Sequence, residues 1–345
     1  MGLNHTTDLA AWHRWQQSRS PLRMLKNAAR KQAEPSLYLS VRGENPRILV
    51  ALDSTKPTSI ASYMRPLTFL PDNDLAVLAP ADVSALLPGE GWRTIQAIQD
   101  GTVPNALRHI AAVLAAGNYL PVSAAAHQLS KLLGARFLVV QHGLMTPHAP
   151  PLPEDGHLLA FSTADAAFWS SGRQDVTFDV VGSQLLWEAA KRPATRLDDS
   201  ERPVFLGQLH GAELPRVGLT RAATTFCTAA GATYRPHPSE TDKLSRLQHA
   251  WWAKQGIHID RSGMPLAEVT APVVSAFSTG VLEAAARGIP SWVTYRRPPR
   301  WLEEFWERYD MSRWGSDPTP PPVQGEQEPA AVIARILQTE IGTSS

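Results

Sequence analysis

The sequence predicts an α/β protein built as two doubly wound, Rossmann-like domains. Three observations carry that expectation. Short apolar runs bounded by turn residues alternate with longer helical patterns, as in βα units around a parallel sheet. The alternation occurs twice, interrupted at 190–203, where two prolines and seven charged residues leave little apolar content and mark an interdomain linker. At 345 residues the chain has the length of two ordinary domains. The expected organisation is a domain at 1–190, a linker at 191–203 and a domain at 204–345, with the last helices able to pack back on the first domain.

In the first series, 47–53 and 75–78 read as strands, 104–116 as a helix, 119–122 as a short strand and 123–133 as a helix. The run 137–140 is the best strand of this half, and 157–161 and 178–182 follow it. In the second series, 203–207 is a strand and 219–230 a helix. Strands are then expected at 232–235, 256–260 and 272–277. A helix at 279–287 is stopped by Gly288-Ile289-Pro290, and 291–294 is the next strand. The chain closes with an amphipathic helix at 301–308, a Pro-rich loop at 317–329 and a helix at 330–341. No repeat at solenoid periods is present.

Composition excludes several classes. With 33 Lys+Arg against 32 Asp+Glu, whole-molecule charge cannot drive binding to nucleic acid or an anionic membrane, so no nucleic-acid partner is expected. The single cysteine, Cys227, can form neither an internal disulfide nor a cysteine zinc site, and a reducing compartment fits it. Residues 1–30 lack the apolar core of a signal peptide. The longest apolar stretch, 110–116, is far below the ~20 residues of a membrane helix. A soluble, cytoplasmic protein is expected, and any association with the inner membrane should be peripheral. The chain has no G-x-G-x-x-G after a strand, no P-loop and no H-E-x-x-H, which disfavours dinucleotide-dependent redox, NTPase and zinc-protease chemistry.

Three motifs can carry chemistry. At 274–290 a buried strand ends in small hydroxyl residues that open a helix. Unpaired first-turn N–H groups, the helix dipole and the Ser278 and Thr279 hydroxyls together form an anion site, with Gly280 letting the anion approach the backbone. Glu283, four residues after Thr279, is placed to accept from ribose hydroxyls. The plain alternative is an ordinary Ser/Thr helix cap. At 233–240, Pro236 and Pro238 pin the backbone around His237 directly after a strand, so that His237 can donate to a phosphate oxygen with Arg235 assisting. At 137–148, the strand delivers His142 and Gly143 into a Pro-rich loop. Histidine there suits general-base work near neutral pH, because strand ends are where chemistry sits in this fold class. His148 in the same loop is a secondary candidate.

The order of these motifs (strand–QHG, linker, strand–LGQ, RPHP, FSTGxxxEAxxxGIP) resembles glycosyltransferases of the GT-B architecture. It is most similar to bacterial sialyltransferase-like and polysialyltransferase-like enzymes that use cytidylate-activated donors. The resemblance implies a GT-B-like fold, two Rossmann-like domains facing a central cleft, the first binding the acceptor and the second the donor. In those enzymes a His-Pro motif and a Ser-Ser/Thr motif hold the CMP phosphate, matched here by His237-Pro238 and Ser278-Thr279. Phe205-Leu206-Gly207-Gln208 resembles the start of their second domain and adds Gln208 to the donor set. The base departs from the pattern. Gln141-His142-Gly143 stands where those enzymes carry two carboxylates and a glycine, and resembles instead the teichoic-acid polyol-phosphate transferases. Glu154-Asp155-Gly156 spells the acidic motif but in a loop, which leaves Glu154 and Asp155 as the alternative base.

The expected activity is metal-independent, inverting transfer of a glycosyl or polyol-phosphate group, with no cofactor. The donor would be CMP- or CDP-linked and the acceptor a saccharide or cell-envelope hydroxyl, in polysaccharide biosynthesis. The rival readings are a nucleotide-sugar epimerase of the UDP-N-acetylglucosamine 2-epimerase type and a non-catalytic sugar-nucleotide binding protein.

Overall fold

The computed structural model describes residues 2–18, 37–71, 75–97, 104–192 and 202–343. Its contacts divide it into two units, Gly2–Leu185 with Gly325–Ser345, and Leu186–Gln324. Most of the expected linker, 193–201, lies outside the described residues.

The first unit opens with α1 (Leu9–Ser18) and carries an eight-stranded sheet. Its strands are β1 (Leu37–Arg42), β2 (Ile48–Ala51), β3 (Leu75–Ala79), β4 (Trp92–Ala97), β5 (Ala112–Ala115), β6 (Arg136–Val140), β7 (His157–Ala160) and β8 (Thr177–Val180). They lie in the order β4-β1-β3-β2-β5-β6-β7-β8. From β3 through β8 in that order, neighbouring strands run parallel. β1 is antiparallel to both β3 and β4, a pair of strands not expected from the sequence.

Alternate residues of the central strands serve opposite faces, as the two-residue strand period requires. Leu49, Val113, Val139 and Leu158 join one apolar cluster. Val50, Leu114, Leu138 and Leu159 join another, closed by Ile333 and Leu337 of the C-terminal helix Pro329–Thr343. Two expectations fail here. The helix at 104–116 is a 3-10 turn (Asn105–Leu107) followed by β5, whose four residues are all buried. A strand covered on both faces reads as a continuous apolar run, which periodicity cannot separate from a buried helix. The strand at 119–122 is instead the entry to α2 (Pro121–Leu133), with proline at the first helical turn, where its missing N–H costs nothing. Helices α3 (Thr163–Ser170) and α4 (Gln184–Ala190) and the helical turns at 57–69 were not anticipated.

The second unit holds β9 (Val204–Leu206), β10 (Thr233–Arg235), β11 (Val273–Ser275) and β12 (Ser291–Val293), all parallel, in the order β10-β9-β11-β12. Its helices are α5 (Arg216–Ala230), α6 (Lys243–Lys254), α7 (Thr279–Ala286) and α8 (Arg300–Arg308). The strand expected at 256–260 reduces to one bridge between Tyr234 and Ile259. Parallel register puts every strand's carboxyl end on one edge, so the segments after β9, β10 and β11 gather there. Both units are thus Rossmann-like α/β layers.

Candidate active site

In the first unit, β2, β5 and β6 are neighbours, and the residues following them meet at the carboxyl edge. His142 follows β6, and its Nδ1 lies 3.0 Å from the Tyr63 hydroxyl. Gln141, fully buried, orients this turn: its amide donates to the Gly143 carbonyl (3.0 Å) and its carbonyl accepts the Phe161 N–H (2.8 Å). Burial holds the His142 pKa below the usual histidine range; a backbone hydrogen bond at Val140 opposes the shift and Lys56 adds to it. The ring is therefore neutral at physiological pH. Burial raises the Tyr63 pKa well above that of an ordinary phenol, helped by Tyr119 and Asp53. With the ring proton on Nδ1, His142 donates to Tyr63 and leaves the Nε2 lone pair as an acceptor.

Asp53, Tyr63 and Tyr119 complete this cluster, and none was named from the sequence. Asp53 follows β2 and accepts the N–H groups of Val122 (2.8 Å) and Ser123 (3.0 Å) and the Ser123 hydroxyl. It thereby caps α2 from a distance. Burial raises its pKa against those hydrogen bonds. An apolar run ending in a carboxylate was the one available signal for it. Tyr63, within a stretch of helical turns, gave none.

The secondary candidates lie elsewhere. Glu154 and Asp155 precede β7, so they sit at the amino edge of the sheet, a strand's length from the carboxyl edge that carries His142. Asp155 occupies a turn at φ 53°, and its N–H donates to Asp175 (3.3 Å). The His148 ring stacks on Trp15 at 4.7 Å and meets Asn4 at 3.1 Å, while its carbonyl accepts from Trp12. Gly143 has open space where a Cβ would stand, so packing alone does not demand glycine there.

In the second unit, Glu240 organises the carboxyl edge. It is 5% exposed. Its carboxylate accepts from the Leu209 N–H (3.0 Å), the Tyr234 hydroxyl (3.0 Å), the His237 N–H (3.3 Å) and His249 Nε2 (2.9 Å). Burial opposes its ionisation, but these donors outweigh burial and hold the carboxyl below its usual range. The loop carrying His237 and Pro238 is therefore tied from inside. His237 Nδ1 accepts the Ser239 N–H at 3.1 Å, which places the neutral ring's proton on Nε2, and the ring stacks on His210 at 3.8 Å. Gln208, after β9, accepts from the Ser275 hydroxyl (3.0 Å) and the Phe277 N–H (3.1 Å), joining the ends of β9 and β11. Trp306 donates to the Ala276 carbonyl (2.8 Å), so α8 supports the same turn.

In the expected donor set, the Ser278 cap is the plain alternative weighed from the sequence, while Gly280, Arg235 and Glu283 have placements it did not foresee. Ser278 is the N-cap of α7 and accepts the Gly280 N–H at 3.1 Å, with Thr279 opening the helix. Gly280 is buried, and a Cβ there would stand 2.5 Å from Leu206 Cδ1 and 2.7 Å from Leu266 Cδ2. Its glycine is required by the close packing of α7 on β9. Arg235 is engaged by Asp260 (3.0 Å) and by the Met264 carbonyl, which makes it a brace of the His237 loop. Glu283 is largely buried, and burial pushes its pKa up to about 7 against the pull of Arg192 and Arg287. Among the described residues, no group of three or more His, Cys, Asp or Glu side chains could hold a metal ion, and no helix is long and apolar enough to cross a membrane.

Neither a family model nor a curated protein matches the sequence. Among solved structures, the chain is similar to the UDP-GlcNAc 2-epimerase of Methanocaldococcus jannaschii in complex with UDP-GlcNAc and UDP, with 12% identity, a TM-score of 0.48, and 85% of this chain and 98% of that one covered. It is similar to Anabaena HepE in complex with UDP (12% identity, TM-score 0.45, 87% and 91% covered). It is also similar to a glycosyltransferase from Rickettsia africae ESF-5 (9% identity, TM-score 0.47, 87% and 89% covered). At this level of likeness the chemistry rests on this chain's own side chains.

Proposed function

We propose that this chain is a metal-independent glycosyltransferase, or polyol-phosphate transferase, that uses a nucleotide-activated donor, with a CMP- or CDP-linked group as the preferred reading. The observation that carries the proposal is the His237 loop. A buried carboxylate, Glu240, fixes it at the carboxyl edge of a parallel sheet, with the His237 ring proton on Nε2. The α7 N-terminus opens from the same edge. A preorganised N–H donor and a helix end aimed at one edge suit the charge that develops on a departing phosphate. The Leu186–Gln324 unit is accordingly the donor-binding domain, and the Gly2–Leu185 unit with its C-terminal helix is the acceptor-binding domain. His142 takes the acceptor hydroxyl proton, with Tyr63 holding its ring, and His237, Ser278 and Thr279 stabilise the leaving nucleotide phosphate. Attack by that hydroxyl in a single displacement inverts the anomeric centre.

Asp53 favours a second reading, nucleotide-sugar epimerisation, because it places a carboxyl of raised pKa at the first unit's carboxyl edge. Incubation with UDP-N-acetylglucosamine and no acceptor separates the two: turnover without acceptor supports the epimerase. The donor is tested by thermal shift with CMP, CDP, UDP and GDP. Ligand at ~100 times its dissociation constant adds about 2.7 kcal/mol, and cytidylates should stabilise most. A clear preference for UDP or GDP overturns the cytidylate assignment. No stabilisation by any nucleotide overturns the transferase.

A further inference from the structure

A second concave site lies in the Leu186–Gln324 unit, built from residues that have no place in the donor loop. Gly218, Arg221, Tyr295, Arg296 and Arg297 line a cavity of about 270 Å³. Gly218 and Arg221 stand on the first turns of α5, and Tyr295–Arg297 leave the carboxyl end of β12. None of the three guanidiniums forms an ion pair or hydrogen bond with another described residue. Three other arginines of this unit are matched: Arg235 with Asp260, Arg300 with Glu304 and Arg313 with Glu303. Three unmatched like charges around one cavity repel each other, and an anion between them removes that repulsion.

One detail shows how the cavity is built. A Cβ on Gly218 would lie 1.8 Å from the Tyr295 hydroxyl, so glycine in the first turn of α5 is what admits the Tyr295 ring, despite glycine's cost in a helix.

We infer that this cavity binds the phosphate group of a small sugar or polyol phosphate, separately from the nucleotide. Guanidinium forks match phosphate oxygens in bidentate geometry. Three of them with a phenol hydroxyl suit a dianion better than a single carboxylate. The volume corresponds to roughly nine waters at about 30 Å³ each, more than a bare phosphate fills. The inference stands on residues distinct from His237 and α7, so it does not require the transferase reading.

Calorimetry on the full chain tests it with glucose 1-phosphate, glycerol 3-phosphate, inorganic phosphate and glucose. The esters should bind, inorganic phosphate more weakly, and glucose not at all. The exposed substitutions Arg296→Gln with Arg297→Gln should weaken ester binding about a hundredfold and Arg221→Gln about tenfold, while nucleotide binding in the same variants stays unchanged. Ester affinity equal in wild type and variants overturns the site. Affinity for inorganic phosphate equal to that for the esters overturns the ester assignment. Parallel loss of nucleotide binding overturns the separation of the two sites.

Discussion

Glu283 offers the sharpest physical test of the donor unit. Its carboxyl is pushed up to about 7, chiefly by burial, against about 4.3–4.5 for an unfolded glutamate. A raised folded-state pKa means that the folded protein holds the proton more tightly than the unfolded chain. The associated stability is complete below about pH 4.5 and is lost as pH rises through about 7. The difference of roughly 2.5 units, at 1.36 kcal/mol each, gives about 3 kcal/mol for ionising Glu283 in place. Glu283→Gln keeps the shape and removes the charge. The variant should match wild type within about 1 kcal/mol at pH 5 and exceed it by about 2–3 kcal/mol at pH 8. For a unit of this size, that gain corresponds to a melting rise of roughly 5–10 °C. Scanning calorimetry of both proteins at pH 5, 6, 7 and 8 measures it directly. A wild-type-to-variant difference independent of pH would falsify the assignment of a buried, half-protonated carboxyl. A variant less stable at every pH would mean that the carboxylate is internally satisfied.

Three further outcomes follow from the same geometry. His142→Ala should lower kcat by about 10²–10⁴ with nucleotide affinity nearly unchanged, whereas His237→Ala should weaken nucleotide binding and turnover together; the reverse pattern in calorimetry and steady-state rates would exchange the roles of the two units. Because burial lowers the His142 pKa, the acid limb of kcat/KM should fall below pH 6.5, activity rising as the ring loses its proton, and a limb above 7 would exclude His142 as the base. EDTA should leave transfer unchanged, and inhibition reversed by magnesium or manganese would show that a metal shares the phosphate charge.

The buried Glu240 explains how a short motif becomes a site. RPHPSE reads along the chain as a loop pinned by two prolines, and the pattern alone suggests His237 as the functional group. The residue that fixes the loop is the last of the six, through donors supplied by Leu209, Tyr234, His237 and His249. Two of those donors lie on segments distant in sequence, so no local pattern reports the arrangement. Gly280 teaches the same lesson in reverse. Its place in FSTG suggests room for an anion, and only the structure shows that Leu206 and Leu266 fill the space a Cβ would take.

The sequence by itself determined the α/β class, the two βα series and most of the parallel strands. Those features follow from local apolar periodicity and from glycine and proline punctuation, which act over a few residues. It also brought forward His142, His237 and Ser278, because each stands directly after a strand. Only the tertiary structure decided that 112–115 is a strand rather than a helix, since burial on both faces erases periodicity. It alone added β1 and β4, whose pairing is antiparallel, and it decided for the option, left open by the sequence, that the C-terminal helix packs back on the first unit's core. It alone joined His142 to Tyr63, placed Asp53 at the head of α2 and left three arginines around one cavity. Each of these depends on contacts between residues far apart in the chain, and such contacts are settled by packing rather than by local pattern.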